Sequence, residues 1–273
     1  MEAPAENTVR YGQVNTALIK SWLRMDPAED GPFWAVNLMK YRSVAEYSDG
    51  RETELSGREA DDEYRPTESL KAIGARIVFA ADVDTQLLGD ETKWDRIGVV
   101  RYPSRKSFIE MQSRPDFVAK HVHKDAGMER TIVMACQPMT WPVVPEDAPK
   151  LADVPLPATD EDGPVVVLHV LKFAEGNGIE KMGEYTDEAS KVALQHGVRI
   201  SGWFTCEGTI VGDGRVWDQA RFNAFPSKRA FMAVVTDPAR LEAQKAYREP
   251  ALADTYTMIL RPRIDRLAAS VAG

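Results

Sequence analysis

Residues 94–104 read WDRIGVVRYPS, and residues 217–227 read WDQARFNAFPS. The two stretches lie 123 positions apart, and the same offset aligns much of what surrounds them. Gly74 meets Gly197, Arg76 meets Arg199, and Gly89-Asp90 meets Gly212-Asp213. Further on, Phe108 meets Phe231 and Pro115 meets Pro238. Tryptophan is rare, so two Trp-Asp pairs in register point to an internal duplication rather than chance. Upstream, Asn37-Leu38-Met39-Lys40-Tyr41 answers His169-Val170-Leu171-Lys172-Phe173 at a larger offset, which places an insertion after the first strand of the first copy.

Periodicity gives each copy the same order of elements. Phe33 to Tyr41 reads as a strand, and residues 60–73 read as a helix stopped by Gly74. Ala75 to Val83 and Arg96 to Tyr102 read as strands. Pro103-Ser104 opens a helix with Ser104 as N-cap, broken near Pro115, and Thr131 to Gln137 closes the unit. The second copy repeats this with strands at 165–173, 198–206, 216–222 and 255–261, and helices at 179–196 and 227–248. Residues 1–11 read as a polar, frayed end and 12–25 as a helix. The prolines between Pro138 and Pro164 read as a linker. The expected division is a helical extension (1–32), a first domain (33–138), a Pro-rich linker (139–163) and a second domain (164–263).

A βαββαβ order predicts an α+β fold of two tandem ferredoxin-like units, each a four-stranded antiparallel sheet with helices on one face. Packing sheet against sheet would cover the remaining apolar faces. Exposed sheet edges would let the pseudo-dimeric chain pair again as a homodimer.

Composition narrows the function. The 273 residues are 44% hydrophobic and 28% charged, with a net charge of −8. That balance suits a globular protein and argues against nucleic-acid or anionic-membrane partners. The two cysteines, Cys136 and Cys206, form no metal-binding spacing and read as reduced thiols in a cytoplasmic protein. No signal-like or membrane-spanning segment is expected. Nucleotide, zinc-protease and serine-hydrolase motifs are absent.

The segment Trp94-Asp95, Arg101-Tyr102-Pro103-Ser104-Arg105, Phe108, Pro115-Asp116-Phe117, His121-Val122-His123 and Arg130-Thr131, with Asn37 to Tyr41, resembles a bacterial branch of the dimeric α/β-barrel superfamily. The resemblance covers nearly all of residues 33–138, and the second copy departs from the motif. It implies an intrachain version of that barrel. It also implies a wide choice of chemistry, because the superfamily includes cofactor-free monooxygenases, isomerases, cyclases, lyases, haem enzymes and non-catalytic members.

Differences between the copies suggest where chemistry sits. His121 faces Gln244, His123 faces Ala246, Asn37 faces His169 and Tyr41 faces Phe173. This asymmetry suggests one functional pocket in the N-terminal copy and a mainly structural partner. His121 and His123 are candidate acid–base residues because imidazole titrates near neutrality. Asn37, mid-strand among apolar neighbours, is a candidate oxyanion or ligand contact. Tyr41 and Tyr64 are candidate substrate contacts, as are Arg101 and Arg130. No third ligand near the histidines suggests a metal. The leading expectation is a lyase, isomerase, dehydratase or oxygenase that needs no bound cofactor and acts on a small apolar or aromatic oxygenated metabolite. The alternatives are a non-catalytic small-molecule-binding or accessory protein and a haem enzyme with a second-helix histidine as axial ligand.

Overall fold

The computed structural model describes residues 8–272. Residues 1–7 of the expected frayed end lie outside it. The described part of the N-terminus is more ordered than its polarity suggests. Strands β1 (Thr8–Val9) and β2 (Gly12–Val14) form a hairpin, and α1 spans Thr16–Leu23. The extension is therefore a hairpin plus a short helix. Asn15 caps α1 by accepting from the Leu18 amide, so the helix starts four residues later than its apolar spacing indicates.

The first copy runs β3 (Phe33–Tyr41), α2 (Gly57–Tyr64), α3 (Thr67–Ala72), β4 (Arg76–Leu88), β5 (Arg96–Tyr102), α4 (Arg105–Met111), α5 (Pro115–Gly127) and β6 (Met128–Pro138). The second runs β7 (Val165–Phe173), α6 (Gly178–Gln195), β8 (Arg199–Gly212), β9 (Gln219–Phe225), α7 (Lys228–Thr236), α8 (Pro238–Ala243), a π-turn (Gln244–Arg248), α9 (Glu249–Ala251) and β10 (Leu252–Asp265). Helix α10 (Leu267–Ala272) follows. The single helix expected over 60–73 is split at Arg65-Pro66, because proline cannot donate to the preceding turn.

The strands make a closed antiparallel barrel, in the order β8-β6-β3-β5-β4-β10-β7-β9 and back to β8. Within each half the first strand lies between the third and the fourth. Two seams join the halves: β6 pairs with β8, and β4 with β10. The sheet edges expected to remain exposed are consumed in these seams, so no barrel strand offers a free edge.

Both faces of the strands are apolar, which dictates this arrangement. On β3, Trp34, Val36 and Leu38 point into the barrel, while Phe33 and Ala35 point outward under the helices. Trp94 and Trp217 are both buried inside the barrel against the ring of Tyr256, at centroid distances of 5.8 and 5.4 Å. Helix α10 closes one end, where Trp34 Nε1 donates to Ser270 Oγ at 2.9 Å. Cys136 and Cys206 face each other across the β6·β8 seam as free thiols, with Sγ atoms 3.7 Å apart.

The repeated residues hold repeated contacts. Gly74 and Gly197 take φ of 73° and 77°, the left-handed conformation that ends a helix without a Cβ clash. Ser104 and Ser227 cap α4 and α7. Asp95 accepts from the Tyr41 amide (2.8 Å) and pairs with Lys40 (3.2 Å). Asp218 does the same for the Phe173 amide (2.7 Å) and Lys172 (3.1 Å). The Asp of each Trp-Asp pair thus ties the end of a first strand to the loop entering the third. Asp95→Ala and Asp218→Ala are each expected to lower unfolding free energy by about 1–3 kcal/mol in urea denaturation. A loss at one position only would contradict the equivalence of the two contacts.

Candidate functional site

Strand alternation puts Arg96, Gly98, Val100 and Tyr102 on the outer face of the first sheet, below α2 to α5. They line a cavity of about 470 Å³. Helices α2 and α5 cross closely because Gly57 and Gly127 face each other; a Cβ on either would strike the other's backbone. That crossing fixes α5 and aims His121 and Lys124 into the cavity.

His121 is the centre of the site. Its Nε2 lies 3.0 Å from the Tyr11 hydroxyl and 3.6 Å from Asp125 Oδ1. The rings of Phe117 and Tyr64 flank it, at 5.3 and 5.9 Å. Burial lowers its pKa from the ordinary 6.5 and the Lys124 ammonium lowers it further, while Asp125 opposes them. The imidazole is therefore neutral at pH 7. Lys124 stands over the rings of Tyr11 (5.3 Å) and Tyr64 (5.6 Å), and burial depresses its own pKa. Both tyrosines are held protonated, mainly by burial. At the rim, Arg96 pairs with Asp61 and Asp62, each at 3.0 Å.

Of the residues singled out in the sequence, the cavity gathers His121, Asn37 and Tyr64. Asn37 takes a different part from the one expected. Its amide nitrogen donates to the carbonyls of Ala35 (2.8 Å) and Gly98 (3.4 Å), so it is not a spare donor for an oxyanion. Its Oδ1 has no partner among the described residues and remains an acceptor. Tyr41 lies behind the wall, where its hydroxyl donates to Asp61 at 2.6 Å. His123 is turned away: its Nδ1 meets the Tyr47 hydroxyl at 2.7 Å and anchors the inserted loop after β3. Two residues apart on α5, only one of the two histidines can face the cavity. Arg101 shares a face with Ile97 and Val99, so it points to the barrel interior and stands 5.3 Å over the Trp34 ring. Arg130 is exposed and donates to Thr92 Oγ1 at 3.1 Å. Neither arginine lines the cavity.

Tyr11 and Lys124 are lining residues that sequence reasoning missed. Tyr11 arrives from the N-terminal hairpin, held where its carbonyl accepts from the Thr131 amide at 3.0 Å. No local pattern signals that placement.

The C-terminal half is not a solid scaffold either. The equivalent space between its sheet and helices is a second cavity, of about 350 Å³. His169, Tyr185 and four arginines (Arg199, Arg221, Arg240 and Arg248) line it. His169 Nδ1 lies 3.1 Å from Thr257 Oγ1. Burial, then the arginines around it, hold the His169 pKa well below 6.5.

No family model matches the chain, and no curated protein sequence does. Solved structures do resemble it. An anthrone oxidase-like protein aligns with a TM-score of 0.50 at 15% identity, over 89% of this chain and 98% of that one. A chlorite dismutase variant from Candidatus Nitrospira defluvii aligns at 0.49 and 12% identity, over 93% and 100%. A protein of unknown function from Rhodopseudomonas palustris aligns at 0.41 and 24% identity, over 49% and 99%. The chain has the dimeric α/β-barrel fold, in agreement with the resemblance in its sequence.

Two half-buried histidines held neutral have a consequence for stability. Their folded pKa values lie below the unfolded value of 6.5, so the unfolded state binds more protons as pH falls. Their stabilising contribution is complete above about pH 6.5 and is lost as pH falls through the lower folded values. Urea denaturation at intervals from pH 8 to 5 is expected to show stability falling below about 6.5. Constant stability over that range would contradict the neutral, half-buried state.

Proposed function

We propose that the chain is two tandem ferredoxin-like units closed into one barrel, and that the N-terminal cavity is the active site of a small-molecule enzyme working by proton transfer. The shared element order and strand pairing of the halves support the first part. The observation that carries the second is a neutral, half-buried imidazole, His121, beside a tyrosine hydroxyl in a cavity of about 470 Å³.

A neutral imidazole of lowered pKa is a base at pH 7. The proton leaves a C–H or O–H of the substrate for the Tyr11 hydroxyl oxygen as that hydroxyl hands its own proton to His121 Nε2. The electron pair left behind moves onto a substrate oxygen. The Lys124 ammonium, three residues along α5 from His121, is a cation within the cavity that can stabilise that charge. Asn37 Oδ1 accepts from a substrate hydroxyl and sets its orientation. Walls of Phe117, Tyr64, Tyr102 and Leu70 favour an apolar or aromatic body. Such a proton removal opens lyase, isomerase or dehydratase chemistry, and the carbanion it forms can also react with dioxygen.

The haem reading finds less support. The second-helix histidine that could serve as axial ligand has its Nε2 engaged by Tyr11 and its Nδ1 buried without a partner.

The test is a screen of phenolic and enolisable carbonyl metabolites by ultraviolet absorbance. With a substrate in hand, His121→Gln is expected to lower kcat/KM by about 10²–10⁴-fold. Activity should fall on an acid limb below pH 6.5, as the imidazole protonates. Wild-type turnover by a folded H121Q variant would overturn the assignment.

A further inference from the structure

We infer that the C-terminal cavity is a binding site for a carboxylate carried on an apolar body. This stands apart from the N-terminal reading and rests on different residues.

Four arginines line the cavity, and among the described residues none of them forms an ion pair; Arg199 donates to the carbonyls of Val198 (2.9 Å) and Pro149 (2.7 Å), and the other three surround His169. Arg248 is 5% exposed, and its guanidinium donates only to Thr257 Oγ1, at 3.3 Å. Arg221 lies 4.1 Å over the Trp203 ring; it donates to Gln219 Oε1 (2.8 Å) and Thr186 Oγ1 (3.0 Å). Arg240 donates to the Tyr185 hydroxyl (3.1 Å) and the Val235 carbonyl (3.4 Å). These partners are neutral, so they orient the cations without compensating their charge. The nearby acids form no ion pair with them: Asp187 lines the mouth and is exposed, and Glu249, beside Arg248 in the chain, is exposed and accepts from Gln244. His169, on the floor, is neutral. Burial lowers the pKa of Arg221, and the neighbouring Arg248 lowers it further.

Charges buried without counter-ions are unfavourable unless something else supplies the counter-charge. An oxyanion does so, and the planar guanidinium fork fits a carboxylate bidentately. The rest of the wall is apolar, formed by Val198, Phe225, Phe231 and Met182, with Trp141 and Pro142 of the linker over the mouth. The ligand is therefore an anion with an apolar body and not a bare inorganic ion.

Comparing the halves strengthens the case. At the repeat offset, Arg221 stands where the first copy has Gly98, and Arg240 where it has Phe117. The π-turn inserts one residue: Thr255 pairs with Leu171 as Thr131 pairs with Met39, an offset of 124 in place of 123. Arg248 thereby takes the place of Lys124. π-Turns of this kind recur at functional sites.

Calorimetric titration of the full chain with 2-naphthoate, 2-naphthamide and inorganic phosphate tests the assignment. Naphthoate is expected to bind at one site, with naphthamide and phosphate each at least about tenfold weaker. Arg221→Gln and Arg248→Gln should each weaken naphthoate by about tenfold or more, and His121→Gln should leave it unchanged. Ligand-free R221Q should melt no lower than the parent, because it loses an uncompensated buried charge; should it fail to fold, R240Q takes its place. The assignment is overturned by absence of naphthoate binding. Equal binding of the amide or of phosphate overturns it too, as does a loss of binding in H121Q instead of the arginine variants.

Discussion

The hydrogen-bonded seams between β6 and β8 and between β4 and β10 are the constraint on which the molecule depends. A four-stranded sheet with helices on one side has an apolar second face and two unpaired edges. Neither is stable in water. Duplication within one chain resolves both problems together: the inner faces fill the barrel with Trp34, Leu38, Phe204 and Phe222, and the edges pair with one another. The second half is thereby held to the first at an entropic cost lower than two separate chains would meet.

Closure also decides where chemistry can occur. The barrel interior is packed, with Trp217 and Tyr256 each about fully buried. Two cavities lie outside the sheet, under the helices, one in each half. The same backbone presents equivalent positions to both. In the first the outward face of β5 carries Gly98 and leaves room; in the second β9 carries Arg221 and fills it with charge. On the reading proposed above, one frame supports an imidazole site in one half and a guanidinium site in the other without altering a strand. The strands and seams are shared, and only outward side chains and a one-residue π-turn separate the two chemistries.

The legible parts of the sequence were those whose cause is local. Gly74 and Gly197 end helices because no other residue takes their φ easily. Ser104 and Ser227 cap because a hydroxyl reaches the third amide. His121 stood out because the other copy has glutamine. What was hidden depends on tertiary placement. Tyr11 reaches the cavity from a hairpin that polarity alone presents as frayed. The split at Pro66 and the insertion after Ala243 shift the helices without leaving a mark on periodicity. Arg101 could have been set aside from the sequence, since it alternates with Ile97 and Val99 and so faces inward. The arginines of the second cavity also left a signal, an Arg in a strand where the other copy has Gly, but their convergence is visible only in the fold.

Amide hydrogen exchange, read by mass spectrometry along the barrel strands, tests the fusion of the two halves most directly. If the seams are integral to one barrel, β4, β10, β6 and β8 exchange as slowly as β3 and β7, all opening only with global unfolding. Rapid exchange confined to the seam strands, with β3 and β7 still protected, would show two units that merely touch and would contradict the account.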